Sequence, residues 1–167
     1  MPTFYAQPYN ISATGFYFDT AGDFADKAKD LCNAHGDPVE EFEIQFIHGD
    51  ELDCALARAI GLSQSTHAGY FDACEIWEDW QKVFAIIALG ECGYAFEPDK
   101  DPTDYDIDFY HADSLRDFAE QMVEDGLLGD VPENIRPYFD YDAFARDLGH
   151  EYSEITIAGE RYVWRAG

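Results

Sequence analysis

Residues 16–30 read FYFDTAGDFADKAKD, an aromatic segment followed by a run in which acidic residues recur every three or four positions. The aromatic segment, with Gly15 before it, predicts a β-strand over residues 15–18. Asp19 or Thr20 can cap a helix that runs to about Ala34. This stretch therefore predicts a strand that leads directly into an acidic helix.

The same order recurs in the second half of the chain. Residues 106–111 predict a strand, and Asp113 or Ser114 can cap a helix that ends near Gly126. Residues 23–26 read DFAD and residues 117–120 read DFAE, so the two helices share a short motif as well as an acidic pattern. We interpret this echo as a repeated strand–helix unit.

The remaining pattern completes an α+β prediction. Strands are predicted at residues 4–9, 42–47 and in a closing hairpin over 155–164, and helices at 51–60 and 70–89. The helix at 70–89 is expected to bury one broad apolar face formed by Phe71, Ile76, Trp77, Trp80, Val83, Phe84 and Ile87.

We expect small domains in a row, which we divide into three. They are an α/β domain (1–58), a mostly helical middle domain (59–102) and an α/β domain with a C-terminal hairpin (103–167). The polar run at residues 97–102 marks the second boundary.

Charge is the abnormal feature of the composition. Thirty-five Asp and Glu oppose ten Lys and Arg, which gives a formal net charge of −25. The three predicted domains carry −8, −6 and −11, so the charge is spread evenly and does not form a tail. Self-repulsion makes such a surplus costly, and a basic partner is what it attracts. Direct nucleic-acid binding and an anionic membrane are disfavoured, because both begin with a basic surface.

The acidic residues follow a spacing of four, three and four positions in both copies of the repeat. On a helix this spacing keeps carboxylates within about 60° of one face, with about 4.5–6 Å of axial rise between neighbours, an order of distance similar to that between phosphates on one DNA strand. We expect these rows, with a related one in the middle helix, to bind the partner: Asp19, Asp23, Asp26, Asp30, Asp72, Glu75, Asp79, Asp113, Asp117, Glu120 and Glu124.

The sequence does not favour a metal site or a catalytic site. The acids between Asp99 and Asp108 do not follow the spacing of a calcium loop, and Cys32 with His35 has no second half that would complete a zinc site. Motifs for nucleophilic or metal-dependent catalysis are absent, so we expect neither an enzyme nor a cofactor. Four widely spaced cysteines and the lack of a secretory signal indicate a reduced, cytoplasmic chain.

The most specific stretch is residues 127–148, LLGDVPENIRPYFDYDAFARDL. It resembles the antirestriction motif of the ArdA family, small acidic proteins carried on plasmids and transposons, and looser similarity extends over most of the chain. Pro132 suits the first turn of a short helix, Asp140 can cap a helix over 141–148, and Arg136 and Arg146 can pair with nearby acids.

The resemblance implies an elongated protomer of three small α/β or α domains. It also implies a homodimer that pairs through its C-terminal region and resembles bent B-form DNA. Such a dimer blocks the DNA-binding groove of type I restriction–modification enzymes, which prevents restriction and sometimes modification, without catalysis. The motif and dimer-interface residues that it implies are Leu128, Gly129, Asp130, Val131, Pro132, Tyr138, Asp140, Tyr141, Phe144, Arg146 and Asp147.

Three alternatives remain open from the residues themselves. The chain can be an acidic inhibitor or chaperone of another basic DNA-binding protein, because the charge does not name the partner. It can be an enzyme with a carboxylate site. It can also be an ordinary domain adapted to high salt.

Overall fold

The computed structural model describes residues 2–167 and shows a mixed α+β protein. Within that range there are six α-helices and two three-stranded antiparallel sheets. In chain order, the elements are β1 (Thr3–Pro8), β2 (Phe16–Phe18), α1 (Ala21–Lys29), β3 (Phe42–His48), α2 (Glu51–Ile60), α3 (His67–Ile76), α4 (Asp79–Gly90), β4 (Ile107–His111), α5 (Leu115–Glu124), α6 (Tyr141–Leu148), β5 (Ser153–Ile157) and β6 (Glu160–Ala166).

The chain divides into two compact units, residues 1–105 and 106–167. The second unit begins within three residues of the predicted C-terminal domain. The boundary predicted near residue 58 has no counterpart in this division, and the three-domain arrangement stays a prediction.

The first unit is built around a sheet with the order β2-β1-β3. Alternate residues of β1 are buried, because one face of the sheet carries the core and side chains alternate along a strand. Phe4 lies at its centre, with ring contacts of 5.5 Å to Phe18 and 5.3 and 5.1 Å to Tyr70 and Phe71 of α3. The aromatic content of the predicted strands therefore forms the core of this unit.

The second unit has the sheet order β4-β6-β5. Its core contains Phe118 and Ala119 of α5, Leu148 of α6 and Val163 of the central strand β6. The predicted hairpin is confirmed, and Ala158 and Gly159 form its turn with φ of 50° and 83°. A two-residue hairpin turn with positive φ at both positions matches the twist of the flanking strands.

Both units contain an edge strand, then helix, then the other edge strand, and they differ in whether the central strand comes before or after this series. In the first unit the central strand β1 precedes an edge strand, a helix and the other edge strand. In the second, an edge strand, two helices and the other edge strand precede the central strand β6. The repeat seen in the sequence is thus an edge strand followed by a capped acidic helix in both units.

Two predicted helices differ in length from the observed ones. Helix α1 ends at Lys29 and not near Ala34, because the Leu31 carbonyl already accepts from the N–H of Val39 beside a bridge between Cys32 and Pro38. The Asn33 side chain then accepts from the N–H groups of His35 and Asp37 and holds the turn that follows. The predicted helix at 70–89 is two helices, α3 and α4. Trp77 and Glu78 between them are both extended, and Glu78 forms a capping box with Gln81 that starts α4.

The break between α3 and α4 also corrects the predicted apolar face. The side chains of Ile76 and Trp80 are 74% and 47% exposed, so neither belongs to the core. Trp80 donates its indole N–H to Glu78 Oε2 at 2.7 Å. Val83 and Ile87 are buried as predicted.

No helix begins at Pro132, which corrects the prediction for the start of the motif. The carbonyl of Pro132 accepts from the N–H groups of Ile135 and Arg136, which makes a single turn. Pro137 has no N–H to continue this series, and a short 3₁₀ helix over Arg136–Tyr138 follows instead.

Candidate protein-binding surface

The carboxylates lie almost entirely on the surface. Thirty of the thirty-five are exposed, four are half-buried, and one, Asp53, is buried. The first unit carries twenty carboxylates and five Lys or Arg side chains, and the second carries fifteen and five. Their net charges are therefore −15 and −10, and each unit presents an acidic surface of its own.

The ten cationic side chains are mostly occupied within their own unit. Five form ion pairs with carboxylates: Lys27, Lys82, Lys100, Arg116 and Arg165. Three donate to backbone carbonyls: Arg136 to Val131, Arg146 to Asp142 and Arg161 to Asp113. In the described part of the chain, Lys29 and Arg58 alone have neither kind of contact. Lys and Arg thus pair with seven of the thirty-five carboxylates, and the other twenty-eight have no such partner in the described part of the chain.

The acidic row of α1 is shorter than predicted. Thr20 is the N-cap, its backbone is extended, and its hydroxyl accepts from the N–H of Asp23 at 3.0 Å. Asp19 precedes this cap and does not lie on the helix. Asp30 is the C-cap residue and still has a right-handed α conformation. Asp23 pairs with Lys27 at 2.8 Å, so Asp26 and Asp30 are the exposed, unpaired acids of this row.

The acidic row of α5 is shortened for the same reason. Ser114 is an extended N-cap whose hydroxyl accepts from the N–H of Asp117, and Asp113 therefore lies before the helix. The Asp117 carboxylate accepts from the N–H of Asp113 at 3.1 Å and from the Gln121 amide at 3.0 Å. Glu120 pairs with Arg116 at 3.2 Å. The prediction of four equivalent carboxylates on one face is wrong for both helices.

The middle row does not lie on one helix either. Asp72 and Glu75 belong to α3, whereas Asp79 is the first residue of α4, beyond the break. All three are exposed and have no ion pair.

The motif at residues 127–148 divides into an exposed loop and a packed helix. In the loop, the side chains of Leu127 and Tyr138 are 63% and 86% exposed, and Leu128 and Ile135 are half exposed. Gly129 has a φ of +87°, which favours glycine, and Asp130 and Pro132 are exposed, while Val131 is half-buried. The loop thus presents apolar side chains that nothing in its unit covers.

The helical half of the motif supports the core of its own unit. Asp140 caps α6 as predicted, because its carboxylate accepts from the N–H of Ala143 at 2.9 Å. Tyr141 and Phe144 contact the Phe139 ring at 4.9 and 5.8 Å and pack against the core. Asp147 and Arg146 are exposed. The predicted pairing of Arg136 and Arg146 with acids is wrong, since both donate to backbone carbonyls.

Comparison with known proteins decides the family. A sequence model of the antirestriction protein family ArdA matches residues 12–161 of the 167. The chain belongs to the ArdA antirestriction protein family. No curated protein sequence matches the chain.

Over residues 2–167, no group of three or more His, Cys, Asp or Glu side chains is arranged to hold a metal ion. None of the helices in that range is long and apolar enough to cross a bilayer.

One buried charge pair was missed by the sequence analysis of this ArdA protein. Nζ of Lys82 in α4 lies 2.8 Å from Oδ1 of Asp53 in α2, and both side chains are 10% exposed. Lys82 is the one Lys or Arg in residues 70–89 and stands directly before the apolar run at residues 83–89, and that placement was the signal available.

Proposed function

We propose that this chain is a DNA mimic that occupies the DNA-binding groove of a type I restriction–modification enzyme and inhibits restriction, and in some enzymes modification. The observation that carries the proposal is the exposed acidic surface of both units, on which most carboxylates have no Lys or Arg partner. Family membership supports the antirestriction part of the proposal.

The amount of charge suits a DNA groove. B-form DNA carries about one charge per 1.7 Å of axis, so 25 net negative charges correspond to roughly 40 Å of duplex, or a little more than one turn. Basic grooves that bind DNA gain most of their affinity from such charges. The acidic surface therefore competes with DNA for the groove without presenting any nucleobase.

The proposed contacts are spread over many carboxylates. The exposed, unpaired acids on or next to α1, α3, α4 and α5 are the best candidates: Asp19, Asp26, Asp30, Asp72, Glu75, Asp79, Asp113 and Glu124. Asp23, Asp117 and Glu120 already have partners within the chain and are expected to contribute less.

We also propose a homodimer that pairs through the motif loop. Exposed Leu127, Leu128, Ile135 and Tyr138 place four large apolar side chains within one short segment of this acidic chain. The double variant Leu128→Ser with Tyr138→Ser is expected to shift the protein to monomer in analytical ultracentrifugation. Ile11→Ser is the control, because Ile11 is fully exposed and lies outside the motif. A wild-type monomer at all concentrations contradicts the proposed dimer.

Inhibition of a purified type I enzyme tests the main proposal. The chain is expected to inhibit stoichiometrically, to compete with substrate DNA, and to lose affinity steeply as NaCl is raised, because screening weakens charge-driven association. Changing growing groups of carboxylates to amides should weaken inhibition step by step. If one carboxylate were catalytic, its substitution alone would abolish activity. If the chain inhibits none of several type I enzymes and a pull-down with it recovers a basic architectural protein, the proposal is contradicted. The result then favours an inhibitor of that basic DNA-binding protein. We place the protein in the cytoplasm, where such enzymes act on incoming DNA.

A further inference from the structure

A cavity of about 650 Å³ opens in the first unit between the start of α1 and helix α3. Its size is within the range of sites that hold small ligands or single side chains. Ala21 and Phe71 are among its lining residues and give it apolar walls, and Phe71 is half-buried. The cavity is therefore more than a group of acids on an open surface.

Among the described residues that line this cavity, the charged groups are all carboxylates. Asp19, Asp72 and Glu75 are exposed at its mouth, and Asp53 is the buried carboxylate of the chain. No Lys or Arg is among the described residues that line it. The N-terminus of α1 contributes about half a positive charge, which is small beside three unpaired carboxylates.

The buried carboxylate of the inner wall, Asp53, is neutralised by a cation of its own. Asp53 uses Oδ1 both for Lys82 Nζ at 2.8 Å and for the Cys74 thiol at 3.5 Å. Burial raises the pKa of Cys74 to about 12, so this lining residue stays a neutral thiol. The attraction for a cation therefore comes from the mouth, while the interior offers apolar surface.

We propose that this cavity receives an arginine side chain of the basic partner protein. The inference rests on the proposed function, because DNA-binding grooves present arginines to phosphates. A guanidinium is planar and weakly hydrated, stacks on aromatic rings and bonds carboxylates in a bidentate manner. Its aliphatic stem suits the apolar wall at Ala21, its plane suits the Phe71 ring, and its donors suit the carboxylates at the mouth.

Small probes test the cavity without any restriction enzyme. N-acetyl-arginine amide is expected to shift the backbone resonances of Ala21, Gly22 and Phe71 in an NMR titration. N-acetyl-citrulline amide has the same shape without the charge, and it should shift them at least tenfold less at equal concentration. Equal effects of the two, or shifts spread over all acidic segments, overturn the inference. N-acetyl-lysine amide acting as strongly as the arginine probe overturns the assignment of a guanidinium.

Two matched variants connect the cavity with inhibition. One carries Asp19→Asn, Asp72→Asn and Glu75→Gln, and the control carries Asp99→Asn, Asp104→Asn and Glu91→Gln, which are exposed residues of the same unit. Both remove three negative charges. The cavity variant is expected to weaken inhibition of a type I enzyme about tenfold more than the control.

The outcomes separate the inference from the proposed function. Equal losses in the two variants, with an active wild-type protein, overturn the cavity as an arginine site and leave DNA mimicry standing. A wild-type protein that inhibits no type I enzyme overturns the proposed function, and the arginine titration then still decides whether the cavity binds a guanidinium.

Discussion

Nζ of Lys82 in α4 lies 2.8 Å from Oδ1 of Asp53 in α2, inside the core of the first unit. Burial lowers the pKa of Lys82, but the hydrogen bond and the charge of Asp53 outweigh burial and raise the pKa above its ordinary value. In a chain with 25 excess negative charges, the one buried acid thus has a dedicated cation.

Removing Lys82 alone should strongly destabilise the protein. Lys82→Met leaves a buried carboxylate without its cation, which costs about 3 kcal/mol or more. Adding Asp53→Asn to the same chain should recover most of this loss. Lys27→Met is the control, because the Lys27–Asp23 pair has the same 2.8 Å length but is exposed, and its loss should cost below about 1 kcal/mol. Urea unfolding measures all three, and equal losses in the two single variants would contradict a special role for the buried pair.

Alkaline pH should destabilise the first unit. Burial raises the pKa of Cys74 from 9.0 to about 12 and raises the pKa of the Tyr70 hydroxyl as well. Both groups ionise first in the unfolded chain, so the free energy of unfolding should fall as pH rises above about 9. Unfolding by urea at pH 7.5, 9 and 10 measures this slope. Cys74→Ala should flatten it, and parallel profiles for the variant and the wild type would sink the explanation.

His67 should make the same unit sensitive to mild acid. Its ring lies 4.5 Å from the Phe24 ring, and burial lowers its pKa below 6.5. The unfolded chain therefore takes up this proton first, and stability present above pH 6.5 is lost as pH falls. His67→Phe retains a ring and removes the proton site. The difference in unfolding free energy between the two proteins should change between pH 7.5 and 5, and a constant difference would refute the prediction.

Two glycines should respond in opposite directions to alanine. A Cβ at Gly15 would collide with the Ala6 carbonyl and with the Tyr5 ring at 2.6 Å, and the backbone oxygen cannot move aside. Gly15→Ala should therefore cost about 1–3 kcal/mol. Gly22 lies within α1, where a Cβ meets only the Thr20 hydroxyl at 3.9 Å, so Gly22→Ala should stabilise by about 0.5–1 kcal/mol. Thermal unfolding gives both signs, and a loss in both variants would show that α1 has less room than its geometry indicates.

The sequence predicted the fold well where local chemistry sets a boundary. Helix α2 begins and ends where its cap Asp50 and Gly61 require, and the hairpin turn at Ala158 and Gly159 lies where predicted. The acidic rows were predicted less well, because the four-three-four spacing was counted from Asp19 and from Asp113 as if both lay on the helix. In both units a Ser or Thr one residue later caps the helix and excludes that acid.

Long-range partners explain what the sequence left open about the candidate surface. Composition predicted an acidic surface, but not that Arg165 would pair with Asp108 across β6 and β4, or that Arg161 would donate to the Asp113 carbonyl. These contacts join residues 57 and 48 positions apart. No periodicity reports them, although they decide which carboxylates remain available to a partner.

The position of the central strand sets the order in which the two sheets can form during synthesis. In the first unit, β1 pairs with residues at most 45 positions later, so its sheet can close early. In the second, residues paired across β4 and β6 are 51 to 59 positions apart, and β6 follows β4, α5, α6 and β5 in the chain. Because non-local pairing slows folding and chains fold from the N-terminus as they emerge, we expect β4, α5 and the apolar motif loop to wait on the ribosome for β6. Their high negative charge would keep such waiting chains apart from one another.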